Sequence, residues 1–446
     1  MKVGMVSLGC SKNRVDSEYI LAALTNQGFT ITADPKEAEV ILVNTCGFID
    51  PAKEESINTI LEMAAYKETG RCKLLVGTGC LTQRYEKELR EELPELDLLW
   101  GVKDPQGLAR KVAEMAGLPQ PQTPGCCPRI LTTPRYSAYL RIADGCDNRC
   151  AYCAIPLIRG PRKSVPMEDV LAEARRLAEG GVVELTVIAQ DTSAYGSDLY
   201  GKPMLRELLL ELCKVPGLHW IRVLYTYPNT VDTDLIDAMV REPKLVPYLD
   251  MPIQHIAPDI LRRMNRHGTA AHIREMAAYA RNASPDFILR TTVITGFPGE
   301  TEEEFDQLAE FLQANPFDRL GAFAYSQEEN TPAAQMPDQI PDAVKAERLD
   351  RIMTAQQAIS LVCNQIRVGR TYEVLVDKVQ GDICQPPRWM VASASITRGR
   401  PPNPARLCKS VSTRPDPMTY GARWCFNKLQ HCMETCWKDV FPCLKT

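Results

Sequence analysis

Three cysteines lie close together in the chain at C-x3-C-x2-C spacing, namely Cys146, Cys150 and Cys153. The apolar run before them, residues 137–143, has strand character, so the triplet is predicted to occupy the loop after a strand. Three thiolates at this spacing can bind three irons of a [4Fe-4S] cluster and leave the fourth iron open for a substrate or cofactor. A zinc site that lacks one ligand and three unrelated thiols are the alternatives, and the unusual triple spacing favours the cluster.

A second set of three cysteines is spread over the first part of the chain. Short apolar segments alternate with helical patterns there, which predicts a parallel α/β domain over residues 1–120. Cys10, Cys46 and Cys80 each follow one of these strands by one to three residues. Because the carboxyl ends of parallel strands share one edge, the three thiols are expected to converge and to leave another iron open. The alternative, a small buried side chain, suits one cysteine better than three.

Residues 135–368 contain six strand-like runs separated by helical patterns. The runs cover residues 139–143, 184–189, 220–225, 248–252, 288–294 and 320–325. Six βα units in series predict a partial (βα)6 barrel, in which the site forms at the C-terminal ends of the strands. The C-x3-C-x2-C loop follows the first strand and is therefore expected at that end.

Further polar and glycine-rich positions are candidates for cofactor contacts at the same end of the barrel. They are Gly180, Gly181 and Glu184 at the second strand, Gln190 and Asp191 after it, and Gly296 after the fifth strand. Glycines let the backbone approach a cofactor closely, and the two polar side chains can bind ribose hydroxyls or an amino group. An ordinary loop role is the alternative for each position. His255 follows the fourth strand, but a lone histidine there is more often structural, so no catalytic side chain is assigned.

Composition indicates the cellular compartment and the kind of partner. The chain has 446 residues, a net charge of −4 and 17 cysteines. It has no apolar run of membrane-spanning length and no signal-peptide pattern at its beginning. A cytoplasmic location, where thiols stay reduced, is therefore expected, and the cysteines are interpreted as ligands and bystanders rather than disulfides. The acidic balance disfavours a broad nucleic-acid surface and suits a basic partner such as a ribosomal protein.

With both cysteine sets in place, the chain resembles the radical S-adenosylmethionine (SAM) methylthiotransferase family, in its RimO-like branch. The motifs that carry the branch resemblance are Ser-Leu-Gly-Cys-Ser-Lys-Asn at 7–13, Pro-Ile-Gln-His at 252–255 and Tyr-Ser-Gln-Glu-Glu-Asn-Thr-Pro at 325–332. The tRNA-modifying, MiaB-like branch usually has Gln and Met in place of Ser11 and Lys12. The resemblance covers residues 1 to about 380.

This resemblance implies an enzyme that inserts a methylthio group at the β-carbon of an aspartate in small-subunit ribosomal protein S-twelve. It implies two [4Fe-4S] clusters, one on each set of three cysteines, with SAM at the cluster of the barrel. Gly180, Gly181 and Glu184 match the position where relatives contact the methionine moiety of SAM. A monomer with an electron donor such as flavodoxin or ferredoxin is also expected. A tRNA adenosine methylthiotransferase and a non-catalytic iron–sulfur carrier are the alternatives.

The C-terminal region departs from the family pattern. Family members usually end in a small antiparallel β-barrel called TRAM, so residues 369–446 are assigned to its position, and residues 121–134 to a linker before the SAM domain. The match to TRAM ends near residue 381. The segment 381–446 has six of the 17 cysteines, eight prolines, and ten Lys or Arg against four Asp or Glu. A shifted reading frame is favoured over a diverged domain or a cysteine-rich metal module, and sequencing the DNA tests this.

Overall fold

The structure is a computed structural model of the chain, and it describes residues 1–119, 128–375, 378–380, 383–385 and 407–411. Strands and helices alternate through two successive parallel α/β units. The predicted fold class is confirmed for these two units.

The first unit is built on a five-stranded sheet in the order β2-β1-β3-β4-β5, in which all neighbouring strands are parallel. The strands are β1 (Lys2–Ser7), β2 (Thr30–Ile31), β3 (Val40–Thr45), β4 (Leu74–Gly79) and β5 (Leu98–Leu99). The helices are α1 (Ser11–Asn26), α2 (Asp50–Ala64), α3 (Tyr66–Thr69), α4 (Cys80–Arg84), α5 (Glu86–Glu92) and α6 (Pro105–Met115). The three longer strands, β1, β3 and β4, are the predicted strands that precede Cys10, Cys46 and Cys80. The two short edge strands lack a long apolar run and were not predicted.

The central strands of this sheet, β3 and β4, are buried at every position. Such continuous burial is typical of a parallel sheet with helices on both faces. Side chains alternate along each strand, so Val40 and Leu42 pack against α1 and α6, whereas Ile41 and Val43 face Ile60 of α2. The two apolar layers fix the sheet and leave its carboxyl edge for the loops that carry cysteines.

The second unit contains six parallel strands and the short antiparallel pair β7–β8. Its strands are β6 (Ser137–Arg141), β7 (Ala143–Asp144), β8 (Lys163–Ser164), β9 (Glu184–Ile188), β10 (Trp220–Val223), β11 (Tyr248–Asp250), β12 (Ile288–Thr295) and β13 (Arg319–Ala324). Its helices are α7 (Ile155–Arg159), α8 (Met167–Glu179), α9 (Ser197–Tyr200), α10 (Leu205–Cys213), α11 (Thr233–Arg241), α12 (Pro258–Arg263), α13 (Ala270–Ala283), α14 (Glu302–Ala314) and α15 (Asp342–Gln365). Two 3₁₀ helices cover Pro228–Thr230 and Pro332–Gln335.

The six strands form two three-stranded parallel sheets, one in each half of this unit. β6, β9 and β10 are paired in parallel, as are β11, β12 and β13. A parallel bridge between Ile221 and Leu245 joins the two halves. Local signals in the sequence fix several helix starts, since Asp232 and Thr269 cap α11 and α13, and Thr301 forms a capping box at α14. The prediction of a partial (βα)6 barrel is confirmed.

Beyond the barrel, the structure describes two antiparallel strand pairs. β14 (Thr371–Leu375) pairs with β17 (Leu407–Val411), and β15 (Lys378–Gln380) pairs with β16 (Ile383–Gln385). Most of the segment 381–446 lies outside the described residues, so the TRAM position and the reading-frame hypothesis stay predictions. Among the described helices, none is both long and apolar enough to cross a membrane.

Candidate functional site

The three cysteines of the first unit lie at the carboxyl edge of its sheet. Cys10 stands between β1 and α1, Cys46 follows β3, and Cys80 follows β4 as the first residue of α4. The loops are in close contact, since a β-carbon added at Gly9 would lie 2.9 Å from Cys46 Cβ. Asn13 is in the same group, because its Oδ1 lies 3.3 Å from Cys80 Sγ. The structure therefore brings together the three thiols that the sequence predicts to converge.

The other three cysteines occupy the loop between β7 and α7. The Cys146 N–H donates to the Gly160 carbonyl at 3.1 Å, and the Cys153 N–H donates to the Cys150 carbonyl at 3.0 Å. Gly145 makes this fold of the loop possible. It has φ +76°, and a β-carbon there would lie 2.2 Å from the Pro161 carbonyl oxygen. The loop lies at the C-terminal end of the first barrel strand, as predicted.

Burial raises the pKa of four of these thiols, namely Cys46, Cys80, Cys146 and Cys153. Burial raises the pKa of Cys80 to about 12, and the neighbouring Cys10 adds to the shift while Arg159 opposes it. In the barrel loop, burial raises the pKa of Cys146 to about 11, and burial followed by the charge of Cys150 raises that of Cys153 to about 12. Clustered thiolates of this kind need a compensating cation, which a bound metal supplies.

The chemistry of the two donor sets fits an iron–sulfur cluster. In a cluster each thiolate binds a different iron, so its ligands are spread around a larger core. Three soft thiolates without a histidine or carboxylate at each site are the ligand set that such clusters use.

The guanidinium of Arg159 connects the two cysteine sets across the interface between the units. Its Nη2 donates to Asn13 Oδ1 at 2.8 Å and to Asp16 Oδ2 at 2.7 Å, and lies 3.5 Å from Cys80 Sγ. Its Nη1 lies 3.2 Å from both carboxylate oxygens of Asp144, two residues before Cys146. Cys80 also packs with Ala154, the neighbour of Cys153, in one buried group. The two sets of thiols therefore face the same interface.

Other buried charges hold the two units in this arrangement. Arg84 pairs with Glu328 at 2.7 Å, and Arg129 pairs with Glu18 at 2.5 Å and with Glu173 at 2.6 Å. All of these residues except Glu173 have side chains no more than 5% exposed. The Arg84–Glu328 and Arg129–Glu18 pairs join residues 244 and 111 positions apart in the chain, and no sequence pattern singled them out.

Several buried polar atoms at the carboxyl ends of barrel strands have no hydrogen-bond partner among the described residues. They are Gln190 Oε1 after β9, Gln254 Oε1 after β11, Thr295 Oγ1 in β12 and Tyr325 Oη after β13. A buried polar group without a partner is costly, so a set of four at one barrel end indicates a site for a polar ligand. SAM, with its amino, carboxylate and ribose groups, fits such a site. The sequence had indicated Gln190, whereas the roles of Thr295 and Tyr325 were missed.

Comparison with known proteins agrees with this division of the chain. Residues 2–101 match the family model described as "Uncharacterized protein family UPF0004", and residues 140–312 match the radical SAM superfamily. Curated relatives named "Ribosomal protein uS12 methylthiotransferase RimO" are about half identical to it. The protein from Clostridioides difficile is 48% identical over 386 residues, 85% of this chain and 87% of that protein. The protein from Pelotomaculum thermopropionicum is 50% identical over 385 residues, 84% of this chain and 87% of its own. The chain belongs to the RimO family of radical SAM methylthiotransferases.

A solved structure shares the fold at low sequence identity. The radical SAM methyltransferase TsrM from Kitasatospora setae, solved with cobalamin and a [4Fe-4S] cluster, superimposes with a TM-score of 0.54 at 15% identity. The match covers 88% of this chain and 83% of that one. The curated relatives and the radical SAM family model, rather than this structure, confirm the resemblance to the methylthiotransferases, and with it an enzyme that uses [4Fe-4S] clusters and SAM.

Three of the expected SAM contacts lie away from the cysteines of this RimO-family chain. Gly180 and Gly181 directly follow α8, and the Gly181 N–H donates to the Ala178 carbonyl at 3.0 Å. Both glycines therefore lie before the amino end of β9. Glu184 is the first residue of β9 and forms a buried ion pair with Arg222 at 3.5 Å. The five residues of β9 separate this end from the cysteine loop by about 13 Å. The structure thus differs from the expectation that these residues lie at the cluster end, because they precede the strand.

The remaining expected contacts lie at the cluster end but have protein partners. Gln190 Nε2 donates to Asp144 Oδ1 at 2.7 Å, which leaves only its Oε1 for a ligand. Asp191 accepts from Asn148 Nδ2 at 2.8 Å and from Ser193 Oγ at 2.8 Å, so it anchors the cysteine loop. The Gly296 N–H donates to Glu300 Oε2 at 2.9 Å. Asp191 and Gly296 therefore have structural contacts of their own.

His255 is completely buried, and its Nδ1 accepts from the Ala257 N–H at 3.1 Å. Burial, followed by the charges of Arg263 and Arg348, lowers the pKa of His255 to about 3. The ring is therefore neutral near pH 7, which agrees with a structural histidine.

Proposed function

We propose that the chain inserts a methylthio group at the β-carbon of an aspartate in small-subunit ribosomal protein uS12. The observation that carries the proposal is the pair of three-cysteine sets facing one interface, in a chain about half identical to relatives with this activity in their name. A carbon radical can meet the incoming sulfur only within contact range, so both sets must border one substrate space.

In this proposal, Cys10, Cys46 and Cys80 hold one [4Fe-4S] cluster, and the barrel set holds the other. The barrel set consists of Cys146, Cys150 and Cys153. When bound, the clusters and SAM supply the one-electron chemistry and the methylthio group, which no side chain can supply. SAM would lie over the strand ends, where Gln190 and Gln254 present buried oxygens to it.

The protein's own contribution is orientation. Arg159 ties the loop before Cys146 to α1 through Asp144 and Asp16, so the two cysteine sets keep a fixed separation. Asp191 holds Asn148 inside the cysteine loop at 2.8 Å. Arg159, Asp16 and Asp191 are buried, and a rigid interface limits the access of water to a reactive intermediate.

The decisive experiment compares a deletion strain with its parent by mass spectrometry of uS12 and of tRNA. We expect the uS12 aspartate to carry the methylthio group in the parent and to lack it in the deletion strain, while tRNA is unchanged. Complementation with Cys10→Ala or Cys146→Ala should fail, whereas Cys213→Ala, a cysteine in α10, should restore the modification. An adenosine in tRNA that loses its methylthio group instead would replace this proposal with the tRNA-modifying alternative.

We further propose that the chain acts in the cytoplasm as a monomer, reduced by a flavodoxin or ferredoxin. Its acidic balance suits a basic ribosomal substrate. Sedimentation of the purified chain and reduction assays with each electron donor test these points. A stable dimer, or reduction by neither donor, would contradict them.

A further inference from the structure

Lys12 is a buried lysine at the interface that contains both cysteine sets. It is the second residue of α1, and only 8% of its surface is exposed. Its Nζ lies 3.1 Å from the centre of the Tyr225 ring, which belongs to the barrel unit. Among the described residues, Lys12 forms no ion pair with a carboxylate. Burial lowers the pKa of Lys12 to about 8, and the Cys10 thiol is the first charged group that opposes this shift. Burial of a cation without an anionic partner is costly, and an aromatic ring offsets only part of the cost.

Other buried cations near the interface do have anionic partners. Arg159 pairs with Asp16 and Asp144, and Arg84 pairs with Glu328. Lys12 therefore differs from these arginines in having no carboxylate partner among the described residues, although the charge of the Cys10 thiol favours its ammonium form. A ligand that carries a negative charge would complete this position.

The surroundings of Lys12 are rigid. Tyr225 follows β10 in the left-handed region at φ +64°, a conformation that costs free energy in a residue with a side chain. The Tyr225 N–H donates to Asp250 Oδ2 at 3.0 Å, and its carbonyl accepts from the Thr192 N–H at 3.0 Å. These two contacts fix the Tyr225 backbone, and the Tyr225 hydroxyl lies 3.4 Å from Ser11 Oγ on the Lys12 side of the interface.

The nearest carboxylates of the barrel are already occupied. Asp250 pairs with Arg290 at 2.6 Å. Asp144 pairs with Arg159 and accepts from Gln190 at 2.7 Å. No barrel carboxylate among the described residues is therefore left to pair with Lys12, and a further anion at this position would come from a bound ligand.

We infer that the Lys12 ammonium binds the side-chain carboxylate of the substrate aspartate. The inference rests on the proposed function, because it takes an aspartate as the substrate. Lys12 is two residues from Cys10, on the side of the interface that faces Tyr225 at the barrel strand ends. In an aspartate, the carboxylate is bonded directly to the β-carbon that reacts. Holding the carboxylate at Lys12 therefore places the reacting carbon between the two cysteine sets.

This contact makes Lys12 a specificity-determining residue. An asparagine at the target position has nearly the same shape but no charge, so it leaves the ammonium unneutralised. A hydrogen bond to a charged group contributes enough to change affinity by about 10- to 100-fold. The chain should therefore prefer an aspartate peptide over its asparagine counterpart by about that factor.

A double-mutant cycle between enzyme and peptide tests the inference. Wild type and Lys12→Met, both reconstituted with clusters under anaerobic conditions, are titrated with a labelled uS12 peptide that carries either Asp or Asn at the target. Methionine keeps the length and the apolar stem of the side chain. We expect Lys12→Met to weaken binding of the Asp peptide about 10- to 100-fold, and to bind the two peptides about equally. KM for the Asp peptide should rise in parallel.

Lys73→Met is the matched control, because Lys73 has a 70% exposed side chain and pairs only with Glu39 at the surface. It should retain the preference of wild type for the Asp peptide. Thermal unfolding of Lys12→Met should stay close to that of wild type, since an unneutralised buried charge is removed.

Three results would overturn the inference. A coupling factor near one in the cycle would show that Lys12 does not contact the carboxylate. A raised KM for SAM with unchanged peptide coupling would assign Lys12 to the cofactor instead. Loss of stability and iron together would make Lys12 structural. A wild type that modifies neither peptide nor uS12 would refute the proposed function itself, which separates the two failures.

Discussion

Replacing Arg159 by methionine should destabilise the interface between the two units that carry the cysteines. The Arg159 side chain is only 1% exposed, and its guanidinium contacts Asn13, Asp16, Asp144 and Cys80. Burial disfavours the charge of Asp144, but Arg159 and then Arg141 lower the pKa of this carboxyl. Removing Arg159 therefore leaves negative charge buried at the interface.

The size of the effect follows from these contacts. Removing one partner of a buried ion pair costs about 3–5 kcal/mol of unfolding free energy. Asp16 keeps Arg141 and Asp144 keeps Gln190, so the lower value, about 3 kcal/mol, is expected. With an unfolding entropy of about 2.1 cal/mol/K per residue, such a loss lowers the melting temperature of a chain of 446 residues by about 3 °C.

The assay is thermal unfolding of the reconstituted chain under anaerobic conditions, followed by circular dichroism. Arg90→Met is the matched control, because Arg90 forms only an exposed pair with Glu86 at 2.9 Å, and should cost less than about 0.5 kcal/mol. Adding Asp16→Asn to Arg159→Met should recover part of the loss, since it removes one of the unpaired charges. If Arg159→Met loses no more stability than the control, the interface is not held by this guanidinium and the reasoning is refuted.

Three further predictions address the cysteine sets, the loop conformation and the buried histidine. Cys146→Ala and Cys10→Ala should each lose about half of the iron of the reconstituted wild type, because each set holds its own cluster of equal size; a loss of all iron from either would indicate a single shared site. Gly145→Ala should lose the barrel cluster, since its β-carbon would lie 2.2 Å from a carbonyl oxygen. Gly160→Ala, at φ +78° in open space, should lose only about 1–2 kcal/mol of unfolding free energy and keep its iron. Equal iron contents in the two variants would contradict the steric argument. Below about pH 6.5, unfolding exposes His255 to protonation while the folded ring stays neutral down to about pH 3, so stability falls with pH. The stability advantage of wild type over His255→Asn should therefore shrink by about 1 kcal/mol between pH 6 and pH 5, measured by denaturant unfolding, and a constant difference would rule out a neutral buried ring.

The sequence predicted the six barrel strands and the positions of all six cysteines, because both depend on local patterns. A strand is recognised from a short apolar run, and a loop cysteine from its place directly after that run. The expectation that Gly180 and Glu184 lie at the cluster end could have been rejected from the sequence, since residues before or at the start of a parallel strand lie at its amino end. Asp191 was correctly located after β9, but its hydrogen bonds to Asn148 and Ser193 depend on packing.

By itself, then, the sequence determined the order of the elements and the chemistry of the ligands. Hydrophobic periodicity and residue spacing are local, and two sets of three thiols at strand ends are visible without coordinates. Only the tertiary structure decided that Arg159 joins the two sets, because its partners Asp16 and Cys80 are 143 and 79 residues away. It also decided that Lys12 is buried against Tyr225, with no carboxylate partner among the described residues. Burial and pairing of charge depend on how the two units pack together, and spacing along the chain carries no record of that packing.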